Sequence, residues 1–129
     1  MKDELLKPTK IYSEEILNLT KKNLISSAAH ITGGGLIENL LRSIPENLNL
    51  SIDLSKIKIS KIFKWLKKNN ISDSEMLRTF NCGIGFCIIA PEKNVKKIKK
   101  QFSKNYIPYE IGYISKNKKK VNLLKNLRW

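Results

Sequence analysis

The sequence predicts an α+β layered sandwich with a mixed sheet. Three observations carry that prediction. Residues 48–54 alternate apolar and polar side chains, which is the period of a half-buried strand. Apolar residues recur at helical spacing in 12–22, 59–66 and 95–102. Strands and helices follow one another without the strict rhythm of a doubly wound fold. A length of 129 residues suits one domain spanning 1–129, and a 41% apolar fraction is enough for a core.

The elements follow in order. After the turn region at Pro8, Tyr12, Ile16 and Leu19 mark an amphipathic helix over 12–22. Residues 26–32 read as the first strand, and 36–41 as a short helix closed near Pro45. Leu48, Leu50, Ile52 and Leu54 alternate with Asn49, Ser51 and Asp53 in the next strand. Ile59, Ile62, Phe63 and Leu66 then form a helical stripe, with Lys61, Lys64, Lys67 and Lys68 opposite and Trp65 off the stripe. Ser72-Asp73-Ser74-Glu75 has the spacing of a capping box for a helix running toward Phe80. Residues 82–90 carry no polar side chain on either face, so a central strand covered on both sides is expected. Gly83 and Gly85 share one face of that strand and would admit a backbone or a ligand. Pro91 suits a helix start, and Val95, Ile98 and Phe102 give that helix its buried stripe. Residues 109–115 read as a strand, 116–119 as a charged turn and 121–124 as a returning strand.

The run Ala28-Ala29-His30-Ile31-Thr32-Gly33-Gly34-Gly35 is the richest in functional content. Three consecutive glycines contribute no packing and cost unfolded-state entropy, so close backbone approach is a natural reason for them. At a strand-to-helix junction the free amides of the helix start can receive an anion such as phosphate. A tight turn with steric demands and no ligand is the plainer reading. On a strand, His30 and Thr32 point the same way, beside the turn. His30 is the chain's only histidine, and its ordinary titration range suits proton transfer, while a core or capping role is the alternative. Asn39 and Arg42 follow the glycines, and Arg78 and Asn81 precede the apolar run, so two polar sets are candidates to converge on one cleft.

Other chemistry is thinly represented. No acidic cluster has the spacing of a magnesium–nucleotide site, no Walker lysine motif is present, and no metal ligands are assigned. Cys82 and Cys87 form neither a CxxC redox pair nor half of a zinc site, and both thiols are expected to be buried in a reducing cytoplasm. No stretch resembles a transmembrane span, and Met1-Lys2-Asp3-Glu4 lack the apolar core of a signal peptide, so no membrane partner is expected. The net charge of +14 comes almost wholly from lysine, the arginines being Arg42, Arg78 and Arg128. Lysine lacks the bidentate fork of specific recognition, and a genome rich in A and T would yield such a surface unselected. Steering of anionic metabolites toward a cleft and weak non-specific polyanion binding are expected, and a specific nucleic-acid partner is not; a basic nucleic-acid-binding or non-catalytic interaction module remains the alternative class.

Three segments are shared with a known family: KPTKIY at 7–12, AHITGGG at 29–35 continuing into LIENLLR, and RTFNCGIG at 78–85. Across most of its length the chain resembles the C-terminal domain of the phosphoribosylformylglycinamidine cyclo-ligases, also called aminoimidazole ribonucleotide (AIR) synthetases. The resemblance implies a layered α+β unit with partial likeness to a ferredoxin-like fold. It further implies an ATP-dependent ligase of purine biosynthesis that closes the imidazole ring of formylglycinamidine ribonucleotide. ATP and Mg2+ would be held mainly by an N-terminal domain outside this sequence, in a homodimer of two-domain subunits, and the chain alone would be inactive. By the same resemblance, His30, Thr32, Gly33, Gly34 and Gly35 would face the substrate side of the cleft. With the two polar sets read from their positions, the catalytic candidate is His30, and the candidates for binding the ribonucleotide substrate and its phosphate are Thr32, Gly33, Gly34, Gly35, Asn39, Arg42, Arg78 and Asn81. Two departures stand out: Leu41 replaces a usual proline, and Lys7-Pro8-Thr9-Lys10 replaces a common Glu-Pro-Thr-Arg. Lysine for arginine at position 10 weakens any bidentate contact there.

Overall fold

The computed structural model describes residues 5–129; the first four residues, read above for a leader, lie outside it. The described helices are α1 (Ser13–Lys21), α2 (Gly35–Arg42), α3 (Lys61–Lys67), α4 (Asp73–Thr79) and α5 (Val95–Lys99). The strands are β1 (Ser27–His30), β2 (Leu48–Asp53), β3 (Phe86–Ile89), β4 (Gly112–Lys116) and β5 (Val121–Leu124). β1 and β3 form an antiparallel ribbon, and β4-β2-β5 form a mixed sheet with β2 antiparallel to β4 and parallel to β5. The α+β class and the mixed sheet therefore stand as expected.

Two hydrophobic clusters explain the layering. The larger joins α2, α4 and the inner face of the three-stranded sheet, with Leu36, Ile52, Met76 and Cys82 fully buried. The smaller is built on Leu19, Leu24 and Ile98 from α1, the turn after it and α5. The β1–β3 ribbon lies between them: Cys87 and Ile89 pack on the first cluster, Ile88 and Ala90 on the second. Each fully buried leucine contributes roughly 1.5–3 kcal/mol of transfer free energy, so α2 is fastened chiefly by Leu36 and Leu40.

The strand expected over 82–90 is shorter and has one strand neighbour. Cys82 and Gly83 have φ of 52° and 101°, which an extended ladder does not accommodate. Asn81 explains the turn: its Oδ1 accepts from Gly83 N–H at 3.0 Å, and its carbonyl accepts from Ile84 N–H at 2.9 Å. The turn also resets the side-chain phase. Cys82 and Ile84 share the larger cluster with Cys87 and Ile89, which a continuous strand would have put on the opposite face. The coverage on both sides is real, but β3 pairs with β1 alone.

β2 is buried on both faces rather than one. Asn49 and Ser51 are as inaccessible as Leu50 because β2 is the middle strand and its polar face is hydrogen-bonded to its neighbours. Ser115 Oγ donates to Asn49 Oδ1 at 2.5 Å, and Asn122 Nδ2 approaches Ser51 Oγ at 3.5 Å. The link from β4 to β5 crosses the start of β2, held by Asn117 and Lys119 N–H groups on the Asn47 and Glu46 carbonyls. The chain thus returns parallel to β2, on the side opposite β4.

The capping box at α4 is half made. Ser72 Oγ accepts from Glu75 N–H at 3.2 Å, whereas the Glu75 carboxylate turns to Arg78 and Thr79. Replacing Ser72 with alanine is expected to lower stability by about 1 kcal/mol in urea unfolding. A change below about 0.3 kcal/mol would mean that solvent caps this helix equally well.

Candidate functional site

The site is assembled where β1 runs into α2. β1 sends Ala29 into the core and leaves His30 exposed at its end. Pairing continues one residue further, with Ile31 N–H donating to Gly85 O at 2.9 Å, and Ile31 is buried. Thr32 is exposed in the following turn, and its carbonyl accepts from Gly35 N–H at 3.2 Å.

The three glycines do different things. Gly33 faces open space. Gly34 has φ of 91° and lies beneath the Glu38 carboxylate, which Arg42 holds at 3.7 Å. Gly35 has φ of 63° and is buried against the end of α4, where a Cβ would overlap the Leu77 and Arg78 carbonyls. Asn39 clamps the turn: Nδ2 donates to Gly33 O at 3.1 Å and to Gly35 O at 2.7 Å. Arg42 Nη2 reaches Asn39 Oδ1 at 3.4 Å. The turn therefore meets a strict steric demand at Gly34 and Gly35 before any ligand is considered.

His30 forms the wall between two clefts. One, of about 240 Å³, is polar and is lined by His30, Ala29, Asn39, Arg42 and Ser43. The other, of about 300 Å³, is aromatic and is lined by Lys10, Tyr12, Ile16, His30 and Phe86 among others. The imidazole stacks on Phe86 at 5.7 Å between centroids and meets Tyr12 edge-on at 6.1 Å. Lys10 caps the aromatic cleft with its ammonium 3.6 Å from the Tyr106 ring centroid. Burial pushes the Lys10 ammonium below its ordinary range, against the pull of Glu15, and pushes the Tyr12 phenol up.

Of the polar candidates, His30, Asn39 and Arg42 are brought together around one cleft. Arg78 and Asn81 line neither cleft. The Arg78 guanidinium pairs with Glu75 at 2.7 Å, and Asn81 caps Gly83. What α4 does give the site is backbone, the Leu77 and Arg78 carbonyls on which Gly35 rests. Tyr12 and Phe86 are not singled out by the sequence, where Tyr12 reads as part of a helical stripe. A signal for Tyr12 does exist in Gly85, whose place on the strand asks for a close approach, and the approaching group is the Tyr12 phenol.

The remaining reactive groups are committed elsewhere. Burial pushes the Cys87 thiol up to about 12 and the Cys82 thiol to about 11, so neither supplies a thiolate near neutral pH. Among the described residues no group of three or more His, Cys, Asp or Glu could hold a metal ion. Several carboxylates are engaged, Glu38 with Arg42, Asp73 with Lys67 and Asp53 with Ser55 and Lys125. These residues do not fit a magnesium–nucleotide centre. No described helix is long and apolar enough to cross a membrane.

Comparison with known proteins extends the geometry. The family described as AIR synthase related protein, C-terminal domain, matches residues 1–124. A phosphoribosylformylglycinamidine cyclo-ligase from Geotalea daltonii is 45% identical over 116 residues, covering 88% of this chain and 33% of that protein. One from Lactobacillus helveticus is 43% identical over 114 residues, covering 87% of this chain and 33% of that protein. The trifunctional purine biosynthetic protein adenosine-3 of Gallus gallus is 41% identical over 113 residues, which are 87% of this chain and 11% of its own length. The chain thus spans about a third of the length of the two cyclo-ligases. A match over nearly the whole chain, including the glycine turn and the strands that place His30, establishes that it belongs to the AIR synthase related protein, C-terminal domain, family.

Proposed function

We propose that this chain is the substrate-side domain of an ATP-dependent phosphoribosylformylglycinamidine cyclo-ligase in purine biosynthesis. The observation that carries the reading is the gathering of His30, Asn39 and Arg42 around one cleft beside the glycine turn. Family membership and the named relatives support it. In that reaction the formyl amide oxygen is phosphorylated, and closure of the imidazole ring then expels phosphate. Here the turn at Gly33 and Gly34, once the Glu38 carboxylate that covers Gly34 and pairs with Arg42 swings aside, would take phosphate charge together with the Arg42 guanidinium, and His30 would orient the amide or move its proton. Thr32, exposed in the same turn, is a further substrate contact, and Arg78 and Asn81 would reach substrate only by leaving their present partners. ATP and Mg2+ would be held mainly by an N-terminal domain, which would be this chain's partner in a cytoplasmic homodimer.

The test is a chimera in which this chain replaces the matching third of the Geotalea daltonii cyclo-ligase. The chimera is expected to form AIR with ATP and substrate, and the chain alone is expected to form none. Turnover by the pure chain would overturn the placing of the nucleotide ligands elsewhere. Replacing Gly34 with valine, whose side chain at a φ of 91° would displace the turn's amides, is expected to lower turnover of the chimera by about 100-fold or more, the scale on which a misplaced oxyanion donor costs. The same substitution should weaken binding of ribose 5-phosphate to the chain, read from the amide resonances of the turn. Unchanged turnover and unchanged resonances would sink the phosphate role, and sequence-selective nucleic-acid binding at physiological salt would favour the interaction-module class.

A further inference from the structure

The His30 imidazole stands at an exposed strand end. What it touches is aromatic. Phe86 lies one strand over, directly opposite in the ladder, and its ring is 26° from parallel with the imidazole. Tyr12 comes from the segment before α1 and packs on both rings, 5.2 Å from Phe86 and 6.1 Å from His30. Its phenol crosses Gly85, where any Cβ would overlap the hydroxyl and ring. On the far side Lys10 stands 5.8 Å from the Tyr12 ring centroid and closer still to Tyr106.

We propose that Tyr12 is a positioning residue: seated over Gly85, its ring holds the His30 imidazole against Phe86 in the wall between the polar and aromatic clefts. The role rests on the reading of His30 as the working side chain of the site. Without the Tyr12 edge, an exposed histidine keeps one stacking partner and regains the freedom to swing into the aromatic cleft. Gly85 belongs to the same device. Its absent side chain leaves the seat open, and the three atoms nearest an alanine Cβ there all belong to Tyr12, so alanine would push that ring off its seat.

The experiment reads the imidazole directly in the 129-residue chain by proton NMR. In Tyr12→Leu and in Gly85→Ala, the His30 ring resonances should move toward random-coil positions and the His30–Phe86 ring contact should weaken. In Tyr12→Phe both should remain as in the parent. Amide spectra showing the β1–β3 pairing intact keep any variant that fails to fold out of the comparison, and Gly85→Ala serves if Tyr12→Leu does not fold. Unmoved ring resonances in folded Tyr12→Leu and Gly85→Ala would overturn the proposal, as would a Tyr12→Phe variant that behaves like Tyr12→Leu. In the chimeric enzyme, Tyr12→Leu should lower kcat on the order of ten- to hundredfold with little change in KM. Moved resonances with unchanged kcat would preserve the positioning of the ring and discard the working role of His30, so the two failures are distinguishable.

Discussion

Replacing Gly35 with alanine is expected to destabilise the domain by about 3–5 kcal/mol and to lower its thermal midpoint by roughly 10–20 °C. Two costs combine. A φ of 63° places an alanine in the left-handed region, and its Cβ would drive into the Leu77 carbonyl and come within 2.7 Å of the Arg78 oxygen. Both obstacles are backbone, so neither can swing away, and relief requires α2 and α4 to separate across a packed core. The same change at Gly33 meets open space and is expected to cost under about 1 kcal/mol. Gly34 falls between, since it is left-handed but faces the flexible end of Glu38. Urea unfolding of the three alanine variants should rank Gly35 far above Gly34 and Gly34 above Gly33. Equal costs at Gly33 and Gly35 would mean that the turn is not seated on α4 as described.

That ranking marks where sequence reading stops. Three adjacent glycines announce a close approach, but their spacing does not say which one approaches what. The answer depends on Leu77 and Arg78, far along the chain and brought near by packing. Local patterns serve well where the physics is local: the short helix after the glycines, the Ser72 cap and the existence of strand β2 all reappear in the structure. They fail where a tertiary contact decides. The apolar run after Asn81 has the composition of a strand throughout, yet the Asn81 side chain and two positive φ angles delay its start to Phe86. Asn49 and Ser51 are polar by composition and buried by topology, because they face polar partners on β4 and β5.

The candidate site divides on the same line. His30, Asn39 and Arg42 lie close in sequence on one strand–turn–helix unit, and their grouping follows from that unit alone. Arg78 and Asn81 flank a different turn, and their side chains serve it. Tyr12 reaches His30 only because the segment before α1 folds across the β1–β3 ribbon, which no periodicity encodes.

Truncating Leu127 to alanine is expected to cost about 2–4 kcal/mol, although residue 127 lies beyond the segment matched by the family. The chain turns at Lys125, whose φ is 56° and whose ammonium meets Asp53 at 3.0 Å. It then sends Leu127 into the larger cluster, 7% exposed, and seats Trp129 against the start of α4. Trp129 Nε1 donates to Asp73 Oδ1 at 3.0 Å, and the Lys67 ammonium lies 5.4 Å from the indole, 2.6 Å from the same carboxylate. Arg128, between the two, is exposed, so Arg128→Ala serves as the control and should change stability by under about 0.5 kcal/mol. Trp129→Ala should cost about 1–2 kcal/mol, for one hydrogen bond and a half-exposed cation–π contact. The tail holds the first turn of α4, and the last turn of the same helix carries the carbonyls on which Gly35 rests. Loosening the tail should therefore loosen the glycine turn: hydrogen exchange at Gly35 is expected to accelerate in Leu127→Ala and stay unchanged in Arg128→Ala. A Leu127→Ala variant as stable as the parent would show that the core closes without the tail. One that is less stable yet keeps the parent's local exchange at Gly35 would show that α4 does not transmit the loss.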